Sequence, residues 1–399
     1  MKLSDRVNAI EPSATFAIKA AAAALKSQGR DVVDLSAGEP DGAPPDGVVE
    51  AAVQSLQNAE HKYAPVAGVP ELRQAIADSY REQHGLDYGP ANVLVTFGGK
   101  QALHTLALTL WNPGDEVIVF SPYWVSYLPQ LELAEATVVV VATDPEQGFQ
   151  PDPARVAAAI TPRTRGIVLN SPSNPTGAVV ERSRLEAILD LAREHDLIVI
   201  SDEIYAAITY DGAESTCVPT LSADAFARTI MVDAVSKTYA MTGWRVGWMV
   251  GPKDVIAAAG TLQGHSTSGV CRVNQAGAVA AVRADRSFFK PVLAALHARR
   301  DLCVEALSAV PGIDLGPVPQ GAFYVFPRVD GLFGKTSPGG RLLDSAMSVA
   351  DFLIHEGGVA VVPGEAFGEA RCVRISYAIA RDQLVSGLER IAAAVATLV

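Results

Sequence analysis

Seven short apolar runs along the middle of the chain constrain its fold more than any other feature. They are Val93-Leu-Val-Thr96, Glu116-Val-Ile-Val-Phe120, Thr137-Val-Val-Val-Val141, Gly166-Ile-Val-Leu169, Ile198-Val-Ile200, Thr229-Ile-Met-Val232 and Val246-Gly-Trp-Met-Val250. Most are continuously apolar rather than alternating, the pattern of strands covered on both faces. Helical stretches separate most of them, as parallel strands require of their crossovers. The expectation is an α/β fold: a large domain with a mainly parallel sheet flanked by helices.

The flanks read differently. A helix over Ala14–Gln28 stops at Gly29, a short strand follows at Val32–Leu35, and Gly38 to Asp46 is turn-rich. Beyond the seventh run come a long helix from about Asp285 to Val310, the apolar stretch Gly321–Phe326, a helical stretch around Leu342–His355, strands at Val359–Val362 and Val373–Tyr377, and a final helix from Arg381. A chain of 399 residues exceeds one ordinary core. Three segments are expected: 1–45 packing with a small domain, 46–285 forming the large domain, and 286–399 forming a smaller α+β domain.

Composition narrows the function. Hydrophobic residues at 49% against 19% charged indicate a folded chain with ample core rather than a disordered one. A net charge of -12 without a basic run disfavours nucleic acid as a partner. Cys217, Cys271, Cys303 and Cys372 are widely spaced, so neither a zinc site nor a disulfide scaffold is expected, and free thiols suit the cytoplasm. No metal site is expected. No apolar run reaches the roughly 18 residues of a membrane span, and Asp5 and Glu11 interrupt any signal-like core.

In a sheet of this kind, ligand groups gather beyond the carboxyl ends of the strands. Five such ends carry notable residues. Thr96-Phe-Gly-Gly-Lys100 opens a helix, where two glycines and free N–H groups suit an anion. It is no Walker loop, because Leu94 stands at the first glycine position and Gln101 follows the lysine. Ser121-Pro-Tyr-Trp124 offers an aromatic face and a candidate cis bond before Pro122. Asn170-Ser-Pro-Ser-Asn-Pro-Thr-Gly177 is a rigid polar loop presenting Asn174. Ser201-Asp-Glu-Ile-Tyr205 places Asp202 at the end of a buried strand, where a carboxylate needs a cationic partner. Asp233 to Arg245 places Lys237 between two buried strands with Arg245 near, conditions that lower a lysine's pKa and make it nucleophilic.

Each motif alone has a structural reading: a glycine turn, a rim aromatic, a proline loop, a structural ion pair, a surface lysine. Together they match one ligand. A phosphate wants a helix N-terminus and an arginine, a pyridinium nitrogen an aspartate, a phenolate oxygen a tyrosine and an amide, a flat ring an aromatic, and an aldehyde a lysine. Pyridoxal 5′-phosphate (PLP) has all five needs.

The chain resembles the class I (fold type I) PLP-dependent aminotransferases, and most of all the bacterial aspartate aminotransferases with a Gly-Gly-Lys loop. The resemblance rests on Pro12-Ser-Ala-Thr15, Ser36-Ala-Gly-Glu-Pro-Asp41, Lys62 to Arg73, Gly98-Gly-Lys-Gln-Ala102, Ser121 to Tyr127, Asn170 to Gly177, Ser201 to Tyr205, Ser236 to Arg245, Val362-Pro-Gly364 and Val373-Arg-Ile-Ser-Tyr377. It implies that Lys237 bonds the cofactor aldehyde and then shuttles a proton, and that Asp202 pairs with the ring N–H. Tyr205 and Asn174 take the ring hydroxyl oxygen, and Trp124 stacks. Ser236, Arg245, Gly99 and Lys100 hold the phosphate region. Tyr63 reaches the phosphate of a second subunit, so a homodimer is implied. Arg374 grips the substrate α-carboxylate with the Gly38 backbone nearby, and Lys100 reaches a distal carboxylate. Asn174 and Trp124 also border the substrate. An L-amino acid and a 2-oxo acid, aspartate and 2-oxoglutarate first among them, are the implied substrates. Alanine, aromatic or prephenate substrates, or a lyase or synthase of the same fold, are the alternatives.

Departures from the family pattern lie in Gly264 to Asn274, which carries Gly269-Val270 and an unexplained Arg272. Ala234 stands at a usual hydroxyl position, and Asp41 to Pro45 lacks a common aromatic. A dehydrogenase is disfavoured because no GxGxxG follows the first strand of the sheet.

Overall fold

The seven apolar runs pair into one sheet. The computed structural model describes residues 2–399. Its strands are β1 (Val33–Asp34), β2 (Val93–Thr96), β3 (Glu116–Ser121), β4 (Thr137–Ala142), β5 (Thr164–Asn170), β6 (Ile198–Asp202), β7 (Thr229–Ala234), β8 (Gly247–Val250), β9 (Tyr324–Val325), β10 (Val359–Ala360), β11 (Val362–Pro363) and β12 (Val373–Ser376). The large sheet runs β2-β8-β7-β6-β5-β3-β4. Every neighbouring pair is parallel except the two made by β8. The reason lies in the link between Ala234 and Gly247, which holds only a 3-10 turn at Thr242–Trp244, whereas a parallel return needs a full crossover.

Helices cover both faces. Leu103 and Leu106 of the helix Gly99–Leu110 pack on one face, with Val117, Val119, Val168 and Ile200. Leu72 and Ile76 of Pro70–His84 pack on the other, with Val93 and Val95. Each such side chain, fully buried, stabilises the fold by about 1.5–3 kcal/mol. β4 departs from the two-faced expectation: it is the sheet edge, and Val140 is 45% exposed.

The two ends of the chain meet. β1 pairs in parallel with β10, Val33 opposite Val359. A three-stranded antiparallel sheet runs β11-β12-β9. The strand expected over Val359–Val362 is therefore broken, because β10 joins β1 while β11 joins β12. The helix expected over Asp285–Val310 is a 3-10 turn, Arg286–Phe288, followed by a helix over Phe289–Ser308, with Asp285 capping Ser287 N–H. The stretch expected from Leu342 becomes helical only at Ala346, where Ser345 Oγ accepts from Ser348 N–H. One core runs through this end and includes Leu35, Tyr205, Phe323, Tyr324, Ile375 and Tyr377, so it reaches the carboxyl end of β6. Among the described residues no helix is long and apolar enough to cross a membrane.

Candidate active site

The carboxyl ends of β2, β3, β5, β6 and β7 face β12 and the segment after β1. Asp202 ends β6 and is buried. Tyr127 Oη donates to its Oδ2 at 2.6 Å, and Ile204 N–H to its Oδ1 at 3.3 Å. Burial pushes the Asp202 carboxyl up to about 6, against the pull of Tyr127, Ile204 and the Lys237 charge. It is still an anion at neutral pH.

Lys237 lies three residues past β7. Its Nζ donates to the Gly38 carbonyl at 2.5 Å, with the rings of Tyr205 and Phe323 centred 5.9 and 5.7 Å away. Burial, then the like charges of Arg374 and Arg245, bring its pKa down to about 8, against the raising effects of Glu39 and Asp202. Ser236 is buried just before it.

The loop after β2 is built around glycine. Gly98 has φ +85, and a Cβ there would lie 2.6 Å from Arg245 Nη2. A Cβ on Gly247 would meet the Gly98 carbonyl carbon at 2.6 Å. The backbone thus lies directly between β8 and the Arg245 guanidinium, and Gly99 opens the helix with unsatisfied N–H groups. Arg245, at φ 54, is held by the carbonyls of Thr242 (2.8 Å) and Phe97 (3.1 Å). Guanidinium, glycine backbone and helix N-terminus together form an anion cradle. Lys100 Nζ lies between the rings of Trp124, 5.0 Å away, and Phe16, 5.6 Å away. Desolvation and Arg245 lower its pKa.

Arg374 on β12 is only 2% exposed. Its Nη1 donates to Asn174 Oδ1 at 2.9 Å and its Nη2 to the Ser36 carbonyl at 2.7 Å. The Tyr324 ring lies 4.5 Å away, and Nε is buried without a partner. Tyr205 Oη shares a 2.9 Å hydrogen bond with Tyr324 Oη, and burial pushes the Tyr205 phenol well up, so it is neutral. The peptide bonds before Pro122, Pro172 and Pro175 are cis.

None of the four cations Lys100, Lys237, Arg245 and Arg374 is ion-paired with a carboxylate among the described residues. Arg374 and Arg245 act on Lys237, Arg245 also acts on Lys100, and Lys237 acts on the buried Asp202, an arrangement suited to a ligand with several negative groups and one protonated nitrogen. Tyr63 stands apart: it is 95% exposed. Its loop explains the departures after Gly264. A Cβ on Gly269 would lie 2.6 Å from the Ala64 carbonyl oxygen, and Arg272 pairs with Glu60 at 3.5 Å. Both brace the Tyr63 segment. Three further groups belong to the cluster without having been singled out from the sequence: Tyr127, Tyr324 and the Ser36 carbonyl. Tyrosines inside apolar stretches read as core, and only their hydroxyl partners reveal them. Among the described residues no cluster of His, Cys, Asp or Glu could hold a metal ion.

The sequence profile described as "Aminotransferase class I and II" matches residues 30–391. The chain belongs to that family. Within it, the aspartate/prephenate aminotransferase of Thermus thermophilus is 45% identical over 98% of both chains. The protein of the same name from Cereibacter sphaeroides is 42% identical, also over 98% of both. Among solved structures, the aspartate aminotransferase of Rhizobium meliloti superposes with a TM-score of 0.96 at 38% identity, covering 100% of both chains. The family match spans residues 30–391, and the structural match covers the whole chain.

Proposed function

We propose that this aminotransferase works with PLP and exchanges the amino group of L-aspartate with 2-oxoglutarate. The observation that carries the reading is buried Lys237, desolvated to a pKa of about 8, with the buried Asp202 carboxylate and the charges of Arg374 and Arg245 acting on it. The residues present fit the cofactor. The Gly98–Gly99 cradle with Arg245 and Ser236 suits its phosphate, Asp202 its ring nitrogen, and Tyr205 and Asn174 Nδ2 its ring oxygen. Trp124 suits its face and Lys237 its aldehyde. When bound, PLP supplies an electron-withdrawing ring that accepts the electron pair released at the amino acid Cα.

The chain's own residues do the rest. Asp202 keeps a proton on the ring nitrogen by remaining an anion. Arg374, with Nε unpartnered, offers a planar fork to the α-carboxylate. Lys237 Nζ would take the proton from Cα and deliver it to the cofactor's former aldehyde carbon on the far side of the amino nitrogen, a task suited to an amine whose pKa is near the working pH. Amino donor and oxo-acid acceptor use one site in turn, a ping-pong exchange. A homodimer, with Tyr63 completing the cradle of a second copy, accounts for its exposure. The same reading divides the chain at about 45 and 285 and places it in the cytoplasm, in keeping with four unpaired cysteines.

Lys100 is the group suited to a distal carboxylate. Lys100→Ala is expected to lower kcat/KM for aspartate about 10- to 100-fold, the worth of one charge-assisted hydrogen bond, while alanine changes less than about threefold. An equal loss for both would remove Lys100 from side-chain recognition. Phe16 and Trp124 flanking Lys100 favour one second reading, an aromatic or prephenate-type side chain. Such a substrate turning over faster than aspartate would replace the assignment.

A further inference from the structure

Arg374 is a buried cation with no carboxylate in contact, and yet its guanidinium is fixed at both tips. One tip rests on the Ser36 carbonyl, in a segment 338 residues away in sequence. That segment is itself tightly held. Leu35 N–H donates to the Ala360 carbonyl at 2.9 Å, and the Leu35 carbonyl accepts from Ser376 N–H at 2.8 Å. Asp34 Oδ1 then accepts twice from Ser36, from N–H at 2.9 Å and from Oγ at 2.5 Å. Ser36 is fully buried, so its N–H and hydroxyl have no water to fall back on. Two residues further on, the Gly38 carbonyl receives Lys237 Nζ.

We propose that Asp34 is a positioning residue for substrate binding: through Ser36 it fixes the carbonyl that sets the Arg374 fork. This rests on the reading of Arg374 as the α-carboxylate grip. An arginine side chain has several rotatable bonds, and a bidentate grip needs its plane fixed before the substrate arrives. Asn174 holds one tip and Ser36 the other, which leaves Nε free. Among the described residues, nothing but Asp34 holds the N–H and hydroxyl of Ser36. Burial lowers the pKa of Arg374, while Tyr324, Tyr205 and Asp34 raise it; Asp34 is the one carboxylate among them. It therefore also supplies a compensating negative charge without touching the guanidinium, which leaves the fork open to the substrate. A carboxylate touching Arg374 directly would compete with the α-carboxylate.

The holoenzymes of Asp34→Ala, Ser36→Ala and Arg374→Ala, assayed beside the unaltered protein, test this. For Asp34→Ala the expected result is a KM raised about tenfold or more. The factor should be the same for aspartate, alanine and 2-oxoglutarate, which share only the carboxylate next to the reacting carbon. The kcat should stay within about threefold, and the cofactor dissociation constant should not change. Ser36→Ala loses one of the two hydrogen bonds to Asp34 and should show a smaller, equally uniform rise in KM. It also serves should Asp34→Ala fail to fold. A general loss of structure would lower kcat or cofactor affinity instead. Should Arg374→Ala raise KM while Asp34→Ala and Ser36→Ala leave it unchanged, or move kcat and cofactor affinity alone, the role of Asp34 is overturned. Should Arg374→Ala itself leave KM unchanged, the reading of Arg374 fails first.

Discussion

Lys237→Ala is expected to remove at least about 10⁴-fold of the transamination rate, because one side chain supplies both the covalent anchor and the proton transfer. The purified variant should also fail to retain the cofactor through gel filtration under conditions where the unaltered protein keeps it. The fold should survive: the change removes a desolvated cation and leaves the Gly38 carbonyl without its donor, a loss of about 1–3 kcal/mol at most. The pH dependence follows from the depressed pKa. An amine attacks an aldehyde only when neutral, and with a pKa of about 8 roughly one lysine in ten is neutral at pH 7. Cofactor capture by the apo-protein should therefore quicken about tenfold per pH unit up to about 8 and level off above it. Stopped-flow absorbance at several pH values reads this directly. A rate still climbing steeply above pH 9 would mean that Lys237 behaves as an ordinary surface lysine.

Arg374→Ala should cost about 10³-fold in kcat/KM for the amino acid and for the oxo acid alike, since both lose a bidentate, charge-assisted grip in a dry pocket. The cofactor should still be retained, because Arg374 lies on the substrate side, while loss of its like charge should raise the pKa of the Lys237 nitrogen. Arg374→Lys keeps the charge but not the fork and should recover only part of the loss. Steady-state kinetics with each substrate varied in turn separates these outcomes. The stability effect is mixed: a buried cation disappears, but Asn174 Oδ1 and the Ser36 carbonyl lose their donor.

What the sequence disclosed and what it withheld have physical causes. The strand ends were legible because a β-branched apolar run followed by glycine, proline or a charge has few other solutions, and so Asp202 and Lys237 stood out. The direction of β8 was not, since an apolar run carries no polarity of its own and only the short link from Ala234 decided it. The edge position of β4 was hidden for the same reason. The roles of the Tyr127 and Tyr324 hydroxyls are not legible locally, because their partners, Asp202 and Tyr205, come from other elements. Gly269 departs from the family motif for a reason no local pattern shows: the Ala64 carbonyl occupies the space a side chain would need. Arg374 came only from resemblance, because no local pattern marks an arginine whose partners lie far away in the chain.

The most direct measurement is the absorbance of the PLP-loaded protein on addition of L-aspartate with no oxo acid present. The expected result is loss of the cofactor's visible band with release of one oxo acid per site, and return of the band when 2-oxoglutarate is added. A protein that binds no PLP, or whose bound cofactor is unaltered by aspartate or any other amino acid, would contradict transamination at this site.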